Sequence, residues 1–313
     1  MQKEIFKILI KEGQEEIRDV ALYQRPFEFE ENGRYVLVGI RQAGKSYLLF
    51  QRAKMFLDNG HDLSEMVYIN FDDERLLGMK AEDFDLILQA YCSMFSYKPI
   101  LFFDEIQNVD GWEHFARRLA NQKYSVFITG SNAKMLSRDI ATTLGARFFD
   151  EKVFPYSFRE YLGANNVLLE EGWEYGDKKN EVQRLFTDYY QWGGFPELLA
   201  YRNKRHWLNG LYEKIVLGDV IRRNNVKNEH ALRLAVKRLA ENVMQPTAYN
   251  RLANMVKSAG MSTSTSTIID YVRYVKEACL MFSLDNYASK FADRETAKKH
   301  YFIDNGLLNI FLT

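Results

Sequence analysis

The chain has 313 residues, enough for two domains of ordinary size, each with its own core. Hydrophobic residues at 47% and charged residues at 27% describe a globular protein, and 42 basic against 42 acidic residues leave no global charge to attract nucleic acid. No apolar run is long enough for a membrane span, so the chain reads as cytoplasmic, and any nucleic-acid role must rest on a local patch.

The N-terminus, MQKEIFKILIKEGQEEIRDV, reads as an acidic amphipathic helix rather than a secretory signal. LYQRPFEFEENG follows as a turn-rich connection, in which Tyr23 and Arg25 border an adenine pocket or simply belong to a polar linker. Cys92 and Cys279 lie far apart and outside metal-ligand spacing, which predicts free, buried thiols. Tyr35–Val38 is a short apolar run of the kind that fills a parallel sheet. The next eight residues, Gly39, Ile40, Arg41, Gln42, Ala43, Gly44, Lys45 and Ser46, complete the pattern G-x-x-x-x-G-K-[ST], with Tyr47 behind them. Such a loop lets successive backbone N–H groups wrap a phosphate, and a helix beginning near Lys45 adds its positive end to the site. Lys45 is placed to reach the β- and γ-phosphates of ATP, and the Ser46 hydroxyl to ligate Mg²⁺.

The helix from Lys45 runs to about Asn59 and stops at Gly60. A second strand, MVYINF (66–71), leads into Asp72, Asp73 and Glu74, which either help to hold the metal or cap the next helix. A third, ILFFDE (100–105), ends in two acids. Asp104 is expected to complete the metal site begun by Ser46, and Glu105 to orient and deprotonate a water. The fourth strand, YSVFITG (124–130), is tipped by Thr129, Ser131 and Asn132, with Asn132 the candidate sensor of the γ-phosphate and the water. After a helix over 133–144, Arg147 precedes a fifth strand (148–154). It is the candidate arginine finger, with Arg138 as its rival.

This order of elements resembles the AAA+ ATPases, and FDEIQNVDGWE (103–113), TGSN (129–132), PYSFREYL (155–162) and WGGFPELL (192–199) are similar to bacterial and archaeal members grouped near the STAND NTPases. The resemblance covers essentially the whole chain. It implies an α/β fold: a P-loop NTPase core of AAA+ type, with a parallel sheet flanked by helices, then a helical lid and a winged helix-turn-helix domain. It also implies that Gly194-Phe195-Pro196 is a Gly-x-Pro signature whose Pro196 packs on the nucleotide base. The expected divisions are an N-terminal helix and linker (1–30), the ATPase core (31–155), the lid (156–227), the winged helix (228–300) and a last short stretch (301–313). Trp173, Tyr175, Tyr189, Tyr190 and Trp192 are expected in the core of the lid.

From residue 228 three short helices are read from Leu232 to Val243, Leu252 to Ala259 and Ile268 to Cys279, followed by a strand (280–287) and a basic wing (290–299). Between Lys227 and Thr313 stand twelve Lys/Arg and eight Asp/Glu. Arg251, Lys257, Arg273, Lys276 and Lys290 are the candidate DNA contacts, and STSTST (262–267) either touches phosphates or caps its helix. Winged helices also dock proteins, so a protein partner stands beside DNA, and a homo-oligomer is expected if Arg147 acts across an interface.

In the resembled family YFIDNGLLN (301–309) is normally followed by a PD-(D/E)xK nuclease-like region. Its residues do not occur here, so no nuclease activity is expected, and the region is either truncated or dispensable. The apolar residues Leu307, Leu308, Ile310, Phe311 and Leu312 are expected to want a partner. Two functions follow. The first is an Mg²⁺-dependent ATPase acting as a conformational switch on the winged helix. The second is a nucleotide-gated DNA- or protein-binding regulator with slow hydrolysis. A P-loop small-molecule kinase fits less well, because adjacent Asp-Glu points to water as the acceptor.

Overall fold

The computed structural model describes residues 2–285, 287 and 298–312. The chain separates into two compact units, one of Met1–Gly39 and Gly44–Val153, the other of Ile40–Ala43 and Phe154–Thr313.

The first unit is a five-stranded parallel sheet. Its strands are β1 (Tyr35–Val38), β2 (Met66–Asn70), β3 (Ile100–Asp104), β4 (Ser125–Gly130) and β5 (Phe149–Lys152), in the order β2-β3-β4-β1-β5. Every residue of β1 and β3 is buried, as befits strands covered on both faces. β5 is the opposite: all four of its residues are exposed, and the charges of Phe-Asp-Glu-Lys suit an edge that must not pair further. β4 lies between β1 and β3, so the loops that follow these three strands emerge together at one carboxyl edge.

Helices α1 (Lys3–Asp19), α2 (Lys45–Asp58), α3 (Phe84–Cys92), α4 (Trp112–Asn121) and α5 (Arg138–Leu144) complete this unit. α1 is part of it and not an appendage. Phe6, Ile10 and Ile17 are buried, and the Gln14 amide donates to the carbonyl of Met66 at 3.1 Å. The connection after α1 is held by Arg52 of α2. Its guanidinium lies 4.5 Å from the centroid of Phe56 and donates to the carbonyls of Glu30 and Glu31 at 3.1 and 2.7 Å. Gln51 and Arg25 exchange bonds in the same connection. The expectation of buried thiols fails for Cys92, which is exposed at the last turn of α3, and Cys279 is only half-buried; neither forms a disulfide among the described residues.

The second unit begins with α6 (Phe158–Ala164) and α7 (Lys178–Trp192), a 3₁₀ turn over Pro196–Ala200, and α8 (Lys204–Lys214), which continues as a π-helical stretch over Ile215–Arg222. Tyr161, Leu162, Val167, Val182 and Leu185 form a small core, with Trp173 and Tyr189 against it. Tyr175 and Tyr190 correct the sequence reading: they are 89% and 61% exposed, because helical spacing alone does not separate an inner aromatic from an outer one. Then come α9 (Glu229–Glu241), α10 (Tyr249–Ser258), α11 (Thr265–Glu277), an antiparallel pair of β6 (Met281–Leu284) and β7 (Lys299–Phe302), and α12 (Asn305–Leu312). A further bridge joins Pro246 to Lys299. Most of the expected wing, Lys290 included, lies outside the described residues. The apolar end of the chain finds partners within its own unit. Leu307 is fully buried, and Phe311 meets Tyr212 edge-on at 5.0 Å and Phe302 at 5.5 Å. Among the described residues no helix is long and apolar enough to cross a membrane.

Candidate nucleotide site

The loop after β1 delivers the first half of the site. Gly44 caps α2 in the left-handed region, φ 89°, where a side chain is strained, and so turns the chain directly from loop into helix. The Gly39 N–H donates to the carbonyl of Gly130 at 3.2 Å, tying the loop's first residue to the end of β4. Lys45 is buried. Its Nζ donates to the Gly39 carbonyl at 3.2 Å and lies 3.4 Å from Glu105 Oε1. Ile40 and Ala43 are buried, and Gln42 takes a positive φ of 61°. Tyr47 is half-exposed, its ring edge-on to Phe50. Arg41 is engaged: Nε and Nη2 donate to the two carboxylate oxygens of Asp219 at 2.6 and 3.1 Å. Asp219 is itself 2% exposed and also takes a bond from Arg223 at 3.1 Å.

The end of β3 delivers the second half. Asp104 is buried, and three hydroxyls converge on its carboxylate. Thr129 donates to Oδ1, Tyr68 to Oδ2 at 2.8 Å, and Ser46 also contributes a hydrogen bond. Burial, and then the neighbouring Glu105 charge, push the Asp104 carboxyl above its ordinary value, while the three hydroxyls act the other way. Burial beside that carboxylate drives the Tyr68 phenol far upward, so it stays a donor. Glu105 departs from the strand with φ 52°, a left-handed angle that a non-glycine residue adopts at a cost of about 1–2 kcal/mol. Its N–H donates to Thr129 Oγ1 at 3.0 Å, and its Oε2 accepts from Gln107 at 2.6 Å.

Lys45, Ser46, Asp104 and Glu105 therefore meet at one place, although 58 or more residues separate the two pairs. A buried lysine, a helix N-terminus and a hydroxyl beside a carboxylate suit a polyphosphate with a hard cation. Among the described residues no group of three His, Cys, Asp or Glu could hold a metal.

Residues 31–162 match the family model described as an AAA domain. An uncharacterized protein of Methanocaldococcus jannaschii, MJ1544, is 30% identical over the whole of this chain and 70% of its own length. An uncharacterized protein of Haemophilus influenzae is 32% identical over 87% of this chain and 67% of its own. The chain belongs to the AAA+ ATPases. The Walker-type ATPase PABY2304 of Pyrococcus abyssi shares the fold, with a TM-score of 0.55 at 13% identity over 100% of this chain and 96% of that one. Residues 183–313 match a domain of unknown function, DUF8612.

Other residues singled out in this AAA+ chain sit differently. Asn132 is buried and caps the 3₁₀ turn after β4, its side-chain oxygen accepting from the Lys134 N–H at 2.9 Å. The strand-tip residue that touches the two acids is Thr129. Arg147 is exposed and donates to the carbonyls of Leu144 and Gly145 at 3.3 and 3.0 Å, closing the end of its own helix. Arg138 is exposed on the first turn of α5. Pro196 opens its 3₁₀ turn half-buried, two residues after Gly194, whose N–H donates to Asp304 at 2.8 Å. Asp73 caps the turn after β2, accepting from Arg75 N–H at 2.8 Å, and Asp72 takes a bond from the Asn108 amide. Arg251, Lys257 and Arg273 are exposed and Lys276 is half-buried. Arg273 is already paired with Asp270 at 2.7 Å. Ser264 caps α11 through the Thr267 N–H.

Tyr68 and Gln107 escaped the sequence reading. For Tyr68 a signal exists once β2 and β3 are paired. Asn70 is in register with Asp104 and Tyr68 with Phe102, which puts the phenol on the same face as the carboxylate.

Proposed function

We propose that the chain binds ATP with Mg²⁺ and hydrolyses it, using the nucleotide cycle as a conformational switch. The observation that carries this reading is the convergence of Lys45 and Ser46 with Asp104 and Glu105 at the carboxyl edge of the sheet. Lys45 and the N–H groups from Gly39 to Ser46 bind and orient the β- and γ-phosphates. Ser46 and Asp104 would hold Mg²⁺, which neutralises charge on the phosphate oxygens when bound. Glu105 takes a proton from the attacking water, a contribution on the order of 10²–10⁴-fold. Thr129 keeps the two acids in fixed relation by bonding the side chain of one and the backbone of the other. Pro196 is assigned to the base of the nucleotide and Arg147 to a γ-phosphate, its own or that of a second copy. The parts assigned to this cycle are a core over 31–155, a lid over 156–227 and a winged helix over 228–300.

Lys45→Ala is expected to abolish ATP binding, whereas Glu105→Gln keeps binding and slows hydrolysis at least about a hundredfold. Unchanged turnover in both variants would remove the reading. The three helices α9–α11 followed by the β6–β7 pair support a second function, a winged helix that contacts DNA through Arg251, Lys257, Arg273 and Lys276. Mobility shifts with and without ATP across a salt series test it. Binding through these cations must weaken steeply with salt.

A further inference from the structure

Gln107 stands two residues beyond Glu105 and has no part in the chemistry described so far. The left-handed turn at Glu105 and the 3₁₀ turn over Ile106–Asn108 fold residue 107 back beside residue 105. Its Nε2 donates to Glu105 Oε2 at 2.6 Å, while Lys45 Nζ lies 3.4 Å from the other carboxylate oxygen. The same Nε2 is 3.4 Å from Ser131 Oγ, beyond the tip of β4. The orientation of the amide follows from this, because only its NH₂ end can donate to a carboxylate. The Oε1 end is buried and has no hydrogen-bond partner among the described residues. It rests against Gly130, where a Cβ would overlap both it and the Met135 sulfur.

Packing alone does not account for an amide in this notch. A buried acceptor without a donor lowers stability, and a methionine of similar length would fill the space without that cost. What the amide supplies, and an apolar side chain does not, is a fixed donor to one oxygen of Glu105. We infer that Gln107 is the positioning residue of Glu105, holding one carboxylate oxygen so that the other is presented to Lys45 and to the reacting water. This rests on the reading of Glu105 as the general base. Gln107 acts through Glu105 and touches no substrate.

The test is Gln107→Met in the full chain, with Gln107→Ala in its place if the first does not fold. The expected result is a fall in kcat of about tenfold or more, with KM for ATP and the Kd for ADP within about twofold. The melting temperature should hold or rise, since the unpartnered oxygen is gone. In single-turnover measurements on a Glu105→Gln background the second substitution should cost less than about twofold, because its target is already disabled. A kcat within twofold of wild type, or the same loss in both backgrounds, overturns the inference. If the wild-type chain does not hydrolyse ATP, or Glu105→Gln leaves turnover unchanged, the reading of Glu105 fails first and the inference falls with it.

Discussion

Asp304 offers a prediction whose size follows from the structure. The residue sits just before α12, is 7% exposed, and accepts backbone bonds from Gly194 and Gly306 at 2.8 Å each, with Leu307 contributing a third. Tyr189 is the ionisable neighbour that faces it, its own phenol pushed up to about 12 by burial and by this carboxyl. Burial outweighs the three N–H donors and pushes the Asp304 carboxyl from its ordinary 3.8 up to about 6. The folded chain then binds a proton more readily than the unfolded one. The stability this lends is fully present below pH 3.8 and is lost as pH rises through about 6. At 1.36 kcal/mol per pH unit, the span from 3.8 to about 6 amounts to roughly 3 kcal/mol. Asp304→Asn keeps an oxygen to accept from Gly194 or Gly306 and removes the titration. Urea unfolding, followed by the fluorescence of Trp112, Trp173, Trp192 and Trp207, would be compared for both proteins from pH 4 to 7.5. The wild type should lose roughly 2.4 kcal/mol of this relative to the variant between pH 4 and 7, since the unfolded carboxyl is already partly ionised at pH 4. The difference between the two is the quantity to read, because His300 titrates with the opposite sign. Burial lowers its imidazole to about 4, so its contribution is lost as pH falls. A wild-type-minus-variant difference that stays flat, or that rises with pH, would refute the assignment.

Two further substitutions test the first unit. Thr129→Val removes the hydroxyl that bonds both acids at nearly constant volume; kcat should fall about tenfold or more while ADP affinity without metal changes little, and an unchanged kcat would show that the acids hold their places unaided. Arg52→Met keeps the aliphatic stem but strips two donors from the carbonyls of Glu30 and Glu31 and the cation from Phe56. It should cost about 2–3 kcal/mol and lower the melting temperature by roughly 4–12 °C, with less than about 1 °C arguing that the connection is held elsewhere.

How much of this was legible beforehand depended on range. The phosphate loop and the Asp104-Glu105 strand end could be read because each is written in consecutive residues whose types are dictated by backbone geometry and charge. The strands flanking them could be read because a buried parallel strand is a continuous apolar run. Pairings over long separations were not legible. Tyr68 reaches Asp104 across 36 residues, and Gly194 reaches Asp304 across 110, and no local pattern marks either partner. Gln107 was hidden for another reason. Two residues from Glu105 it would point elsewhere in a helix, and in a strand it would share the face but stand two residues farther along; the left-handed turn brings the two side chains together. Cys92, Tyr175 and Tyr190 were misplaced because hydrophobic character predicts burial on average and says nothing of which side of a short helix faces inward.

The double attachment at Thr129 has a mechanical consequence. Since one hydroxyl grips the carboxylate of Asp104 and also receives the main chain of Glu105, a shift of the β4 tip would carry both acids at once. In the proposed reaction, metal ligand and proton acceptor would thus form a single moving part. A signal that reaches the end of that strand would then act on both acids together, with no setting in which one is poised and the other displaced.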